Sequence, residues 1–126
     1  MTGVKMDNIF KFVSRGADYD GVTAISIHAL KKIKDDGAEL IGVRILGETT
    51  LDIQCHFFFA DQTSYSASGF AIGYGGEGPH GLHETIRMFC PNDVNSDFWR
   101  SPINSLDPRL NYEWDSKDGF HVIVPD

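Results

Sequence analysis

Five glycines fall within nine residues at Gly73-Tyr74-Gly75-Gly76-Glu77-Gly78-Pro79-His80-Gly81. Glycine reaches positive φ without steric cost and lets a ligand approach the main chain, so such a loop can aim several N–H donors into one concavity. A helix starting directly after it would add the free amides of its first turn and its positive dipole end, which together suit an anion. The composition is that of a phosphate cradle. The competing reading is a plain strand-to-helix connection in which glycines only relieve crowding.

Two formal fingerprints are embedded in the loop and both fail on context. G-x-G-x-x-G occurs at Gly73/Gly75/Gly78 and again at Gly76/Gly78/Gly81. A dinucleotide-binding domain also needs a parallel βαβ unit and an acidic residue ending the next strand, roughly 20 residues on. That spacing lands on Asp93, inside a polar stretch. The P-loop spacing of Gly73 and Gly78 is followed by Pro79-His80 where Lys and Ser/Thr are required. Metal chemistry is no better supported, because His80-Gly81-Leu82-His83-Glu84 has neither the H-E-x-x-H nor the H-x-x-E-H order. No metal and no cofactor are expected. Cys55 and Cys90 carry no nucleophile signature and read as reduced core residues.

Binding groups are better represented. Aromatic faces stack on bases, and Phe70, Tyr74, Phe98 and Trp99 flank the loop. Arginine grips phosphate in bidentate fashion, with Arg44, Arg87, Arg100 and Arg109 available and Arg109 preferred because it follows Asp-Pro in a loop. His80 is expected to face the ligand at the helix start, and His83 to pair with Arg87 or solvent.

The elements that must position these groups follow from periodicity. Residues 1–20 read as an N-terminal arm or short helix, with Ile9, Phe12 and Val13 on one side. Residues 21–126 read as one domain. Thr23 to Lys34 has a helical stripe of Val22, Ile25, Ala29 and Ile33, with Thr23 as cap and Gly37 as terminator. Strands are expected over 39–46, over 50–60, where Leu51, Ile53, Cys55, Phe57 and Phe59 alternate, and over 64–72. The glycine loop then leads to a helix reaching Phe89, with Pro79 in its first turn and Pro91 stopping it. A polar stretch follows, long enough to fold back over the loop. A terminal hairpin over 110–114 and 120–124, turning at Asp118-Gly119, closes the chain. The class is α+β: a strand-rich, antiparallel meander sheet with two or three helices in a single domain.

Bulk properties narrow the partners. A net charge of −7 opposes binding to duplex nucleic acid by phosphate neutralisation, so a nucleotide partner should be small. No apolar run of about 18 residues and no leader is present, so no membrane partner and a cytoplasmic location are expected.

The glycine run and the following Gly81, after a Ser66-Ala67-Ser68-Gly69-Phe70 strand, resemble the phage-encoded anti-Thoeris sponge proteins of the first type. The resemblance covers about a quarter of the chain. It implies a non-enzyme acting in the host cytoplasm, one that sequesters cyclic ADP-ribose isomers made by bacterial TIR-domain defence proteins. It also implies a homo-oligomer built from dimers, with some members holding cyclic oligonucleotides as well. Residues 73–81 carry over directly, whereas Asn92 and Arg109 are placed only by position. The expected ligand-binding set is therefore Phe70, Tyr74, Gly75, Gly76, Glu77, Gly78, Pro79, His80, Asn92, Trp99 and Arg109, with no catalytic residue. The alternatives are a small cyclic-nucleotide phosphodiesterase or hydrolase using His80 or His83, and a non-nucleotide inhibitor or interaction module.

Overall fold

The alternation that marks residues 54–59 becomes the middle of a mixed sheet in the computed structural model, which describes residues 12–46, 54–73, 75–90, 103–107, 109–115 and 119–123. In chain order the elements are β1 (Val13–Ala17), α1 (Thr23–Asp35), β2 (Leu40–Leu46), β3 (Gln54–Phe59), β4 (Thr63–Ala67), α2 (Glu77–Phe89), β5 (Tyr112–Asp115) and β6 (Gly119–Val122). A single helical turn at 103–105 lies between α2 and β5. The strand order is β1-β4-β3-β2-β5-β6.

The α+β class holds, but the sheet is not a pure antiparallel meander. β2, β3 and β4 form the expected meander, although β4 stops at Ala67 rather than 72 and positions 50–53 lie outside the described residues, and β5–β6 form the expected hairpin, docked antiparallel on the free side of β2. The departure is β1, which runs parallel to β4. Residues 13–17, assigned from sequence to an arm or short helix, are this edge strand. Its residues are mostly exposed, so burial imposes no alternation for a sequence reading to detect. Arg15 secures the edge by pairing with Asp61 at 2.7 Å and donating to Thr63 at 2.7 Å.

Period two sorts each strand between two faces. Val43, Ile45, Cys55, Phe57, Phe59, Tyr65, Ala67 and Trp114 turn toward α1 and α2 and meet Leu30, Ile33, Leu82 and Ile86 in one core. On the opposite face Ser66, His56, Arg44 and Glu113 lie in register across β4, β3, β2 and β5. Arg44 and Glu113, both buried, form an ion pair at 2.6 Å. Burying two charges is costly, and the short charge-assisted hydrogen bond between them offsets part of that cost. Burial and the neighbouring Arg44 cation both hold the His56 pKa below its ordinary value.

α1 has the predicted length, and Ala29 and Ile33 of the expected stripe pack on the core, but its N-terminal half buries a different face. Thr23, Ser26, Leu30 and Ile33 point inward, whereas Val22 and Ile25 are 43% exposed. Thr23 is not the cap: Val22 occupies that position, and the Thr23 hydroxyl donates instead to the Gly69 carbonyl. A stripe chosen by hydrophobicity misses this face because two of its four members are hydroxyl residues buried by specific hydrogen bonds.

Candidate functional site

Two helix starts face the segment leaving β4, and they are built differently. At the first, β1 ends on Asp18, whose buried carboxylate accepts hydrogen bonds from Ser26 Oγ (2.9 Å), Tyr65 Oη (2.9 Å), Ser68 Oγ (2.8 Å) and the Ser68 amide (3.0 Å). Burial alone would raise its pKa. The bonds from Ser68, Tyr65 and Ser26 outweigh that and hold it below the ordinary 3.8. The donors are themselves used: Ser26 Oγ accepts from the Gly69 amide and Ser68 Oγ from the Gly21 amide, each at 2.9 Å. Burial, the hydrogen bond to Asp18 and the Asp18 charge all raise the Tyr65 pKa, so Tyr65 stays a neutral donor. Burial, together with the Asp18 charge, likewise raises the Cys55 thiol pKa; Cys55 and Cys90 are both buried, as expected.

The second start is the glycine loop. Gly73 adopts φ +86°, a left-handed conformation that suits glycine, and its amide donates to the Ile103 carbonyl at 3.0 Å. α2 begins earlier than the sequence suggests, with Gly76 as N-cap, so Gly78, Pro79 and Gly81 are helical and buried. The first helical hydrogen bond runs from the His80 amide to the Gly76 carbonyl at 3.0 Å. The amides of Glu77 and Gly78 thus lie outside the helix's own ladder, and Pro79 contributes no donor. An open depression of about 600 Å³ sits here, lined by Gly75, Gly76, Glu77, His80 and Asn104.

The structure therefore divides the glycines. Gly81 solves a packing problem, since a Cβ there would overlap Thr23 Cγ2 and press on Ile27 and Phe70 at 3.4 Å. A Cβ on Gly75 would meet only Asn104 Nδ2, at an ordinary 3.6 Å. Crowding explains Gly81 and leaves Gly75 unexplained.

Of the expected binding residues, Gly75, Gly76, Glu77 and His80 come together at the depression. Gly78 and Pro79 are buried in the first turn and do not line it. Phe70 is a correction: it is 3% exposed, its ring lies edge-on to Phe57 at 5.8 Å, and it belongs to the core rather than to a base platform. Arg109 projects into solvent, held bidentately by Asp107 at 2.9 and 3.0 Å, which brings the Asp107 pKa down to about 2. His83, expected near Arg87 or solvent, is 1% exposed, with Nε2 at 3.7 Å from Glu84 Oε1. Tyr74, Asn92 and Trp99 lie outside the described residues, as do Phe98 and Arg100.

Asn104 was missed from the sequence. The neighbouring Ile103 is fully buried and its carbonyl receives the Gly73 amide, so the turn at 103–105 is fastened both to the core and to the loop. The described part of the long polar stretch does fold against the glycine loop, as its length suggested. No local pattern singles out Asn104 within it.

Among the described residues there is no cluster of three His, Cys, Asp or Glu able to hold a metal, and no helix long and apolar enough to cross a membrane. No family model, curated protein or solved structure matches the chain.

Proposed function

We propose that this protein binds a small cyclic nucleotide of the cyclic ADP-ribose isomer type in the depression at the start of α2 and holds it without turnover, acting as a cytoplasmic sponge for an immune signal. The observation that carries the reading is the depression itself. It has the volume of an ordinary ligand pocket and stands at a helix start whose Glu77 and Gly78 amides are outside the helical ladder. The exposed Gly75, with no steric reason to be glycine, supports a binding role over a purely structural loop.

Roles follow from the chemistry of each group. The amides and the helix dipole take a phosphate oxygen. The Glu77 carboxylate disfavours phosphate at its own position and suits a ribose hydroxyl, a donor to acidic side chains. His80 donates to phosphate, and the Asn104 amide offers a donor and an acceptor side by side for a base edge.

Calorimetric titration with cyclic ADP-ribose isomers, followed by heating and mass spectrometry of the released ligand, tests the reading. Saturable binding, an unchanged ligand mass and loss of binding in Gly76→Trp are expected. Absence of binding overturns the proposal, and so does an altered mass; turnover abolished by His80→Ala would assign the site to a hydrolase.

A further inference from the structure

We infer that Thr23 is a positioning residue for the depression, linking the Asp18 clamp to the first turns of α2. The inference deepens the binding reading and rests on it for its functional meaning, while the mechanical link stands on contacts within the chain.

Thr23 touches both sides. Its hydroxyl donates to the Gly69 carbonyl, and its methyl lies where Gly81 leaves no room for a Cβ. Hydroxyl and methyl share one Cβ, and a β-branched side chain has few χ1 choices in a helix. The hydrogen bond to Gly69 therefore fixes the rotamer that sets the methyl against the second turn of α2. Gly69 is held from its other side, because its amide donates to Ser26 Oγ and Ser26 donates to Asp18. A Cβ on Gly69 would overlap the Val22 carbonyl and crowd Ser26 Oγ at 2.6 Å, so the segment has little freedom to slide. The linkage runs Asp18, Ser26, Gly69, Thr23, Gly81 and ends one turn beyond the Glu77 and Gly78 amides.

Rigid placement matters at this point because the depression is open and two of its lining residues, Gly75 and Gly76, have only backbone to offer. A ligand held by amides depends on where the helix start sits, and ordering a loose helix start on binding would weaken affinity.

Amide hydrogen exchange without ligand tests the linkage, so its outcome is independent of the titration above. Thr23→Ser keeps the hydroxyl and removes the methyl. It is expected to speed exchange at His80 to Thr85 by about tenfold relative to Val43 to Ile45, while the Gly69 amide stays protected. Asp18→Asn is expected to loosen Gly69 and the same α2 amides together, and to add little at α2 when Thr23→Ser is already present. Unchanged exchange at α2 in Thr23→Ser overturns the inference even if Asp18→Asn does not fold. Additive effects of the two changes at α2 overturn it as well.

Discussion

The starts of α1 and α2 receive opposite treatment from the same chain. At α1 the polar groups are consumed internally: Thr23 and Ser26 are buried, and each of their hydroxyls is committed to Gly69 or Asp18. At α2 the first turn is left open, with Gly76, an acidic Glu77 and an exposed His80 lining a depression of about 600 Å³. Neither start has a side-chain cap on its first amides, so what differs is the surroundings: at α1 the side chains are bonded among themselves and serve the fold, whereas a start beside an open concavity has capacity left for a ligand. The contrast separates two uses of glycine as well, since Gly69 and Gly81 belong to the closed region and Gly75 to the open one.

The sharpest way to break the comparison is at the closed region. Asp18→Ala strands the Ser26, Ser68 and Tyr65 donors in a buried site, and a loss of about 3–4 kcal/mol in urea unfolding is expected. A loss within experimental error would show that the clamp does not hold the fold. Next in size is Gly81→Ala. On an open helix face this exchange would gain about 1 kcal/mol from helix propensity. Here overlap with Thr23 prevails, and a net loss of about 1–3 kcal/mol is expected. Gly75→Ala, by contrast, should leave the unfolding midpoint where it is. Equal costs at the two glycines would erase the distinction drawn between them.

Acid should weaken the Asp18 clamp and the far face of the sheet at different pH values. The folded-state pKa of His56 is depressed by burial and by Arg44, so its contribution is present above the unfolded value of 6.5 and is lost as pH falls from there toward the folded value. Asp18 follows the carboxylate rule: its contribution is present above 3.8 and lost as pH falls through its lower folded value. A stability–pH curve should therefore fall first below about pH 6.5, and His56→Gln should remove that early step alone. The smallest effect belongs to Arg109→Ala. Its ion pair is exposed, so unfolding should not change. The Asp107 carboxyl should return from about 2 toward 3.8 in an NMR titration.

How much of this was legible in the sequence depended on whether a signal was local. β3 was readable because burial of one face forces Cys55, Phe57 and Phe59 into alternation. The end of α1 was marked by Gly37, which does adopt φ +94°. The glycine richness of residues 73–81 was visible in composition alone, and Gly75, Gly76, Glu77 and His80 line one depression. β1 was not legible, because its exposed side chains carry no period and its partner β4 lies about 50 residues away. The buried face at the N-terminal half of α1 was misread for a similar reason: Ser26 is inside only because Asp18 and Gly69 bond to it. Asn104 and the core position of Phe70 are set by tertiary contacts that no spacing encodes.

The most direct test of the central claim is an ¹⁵N–¹H NMR titration with a cyclic ADP-ribose isomer. The account predicts saturable shifts at the amides of Gly75 to Gly78 and His80 and at the Asn104 side chain, with Ser68, Gly69 and Ser26 at the α1 start unmoved. Shifts centred on the Asp18 clamp, or none at saturating ligand, would contradict it.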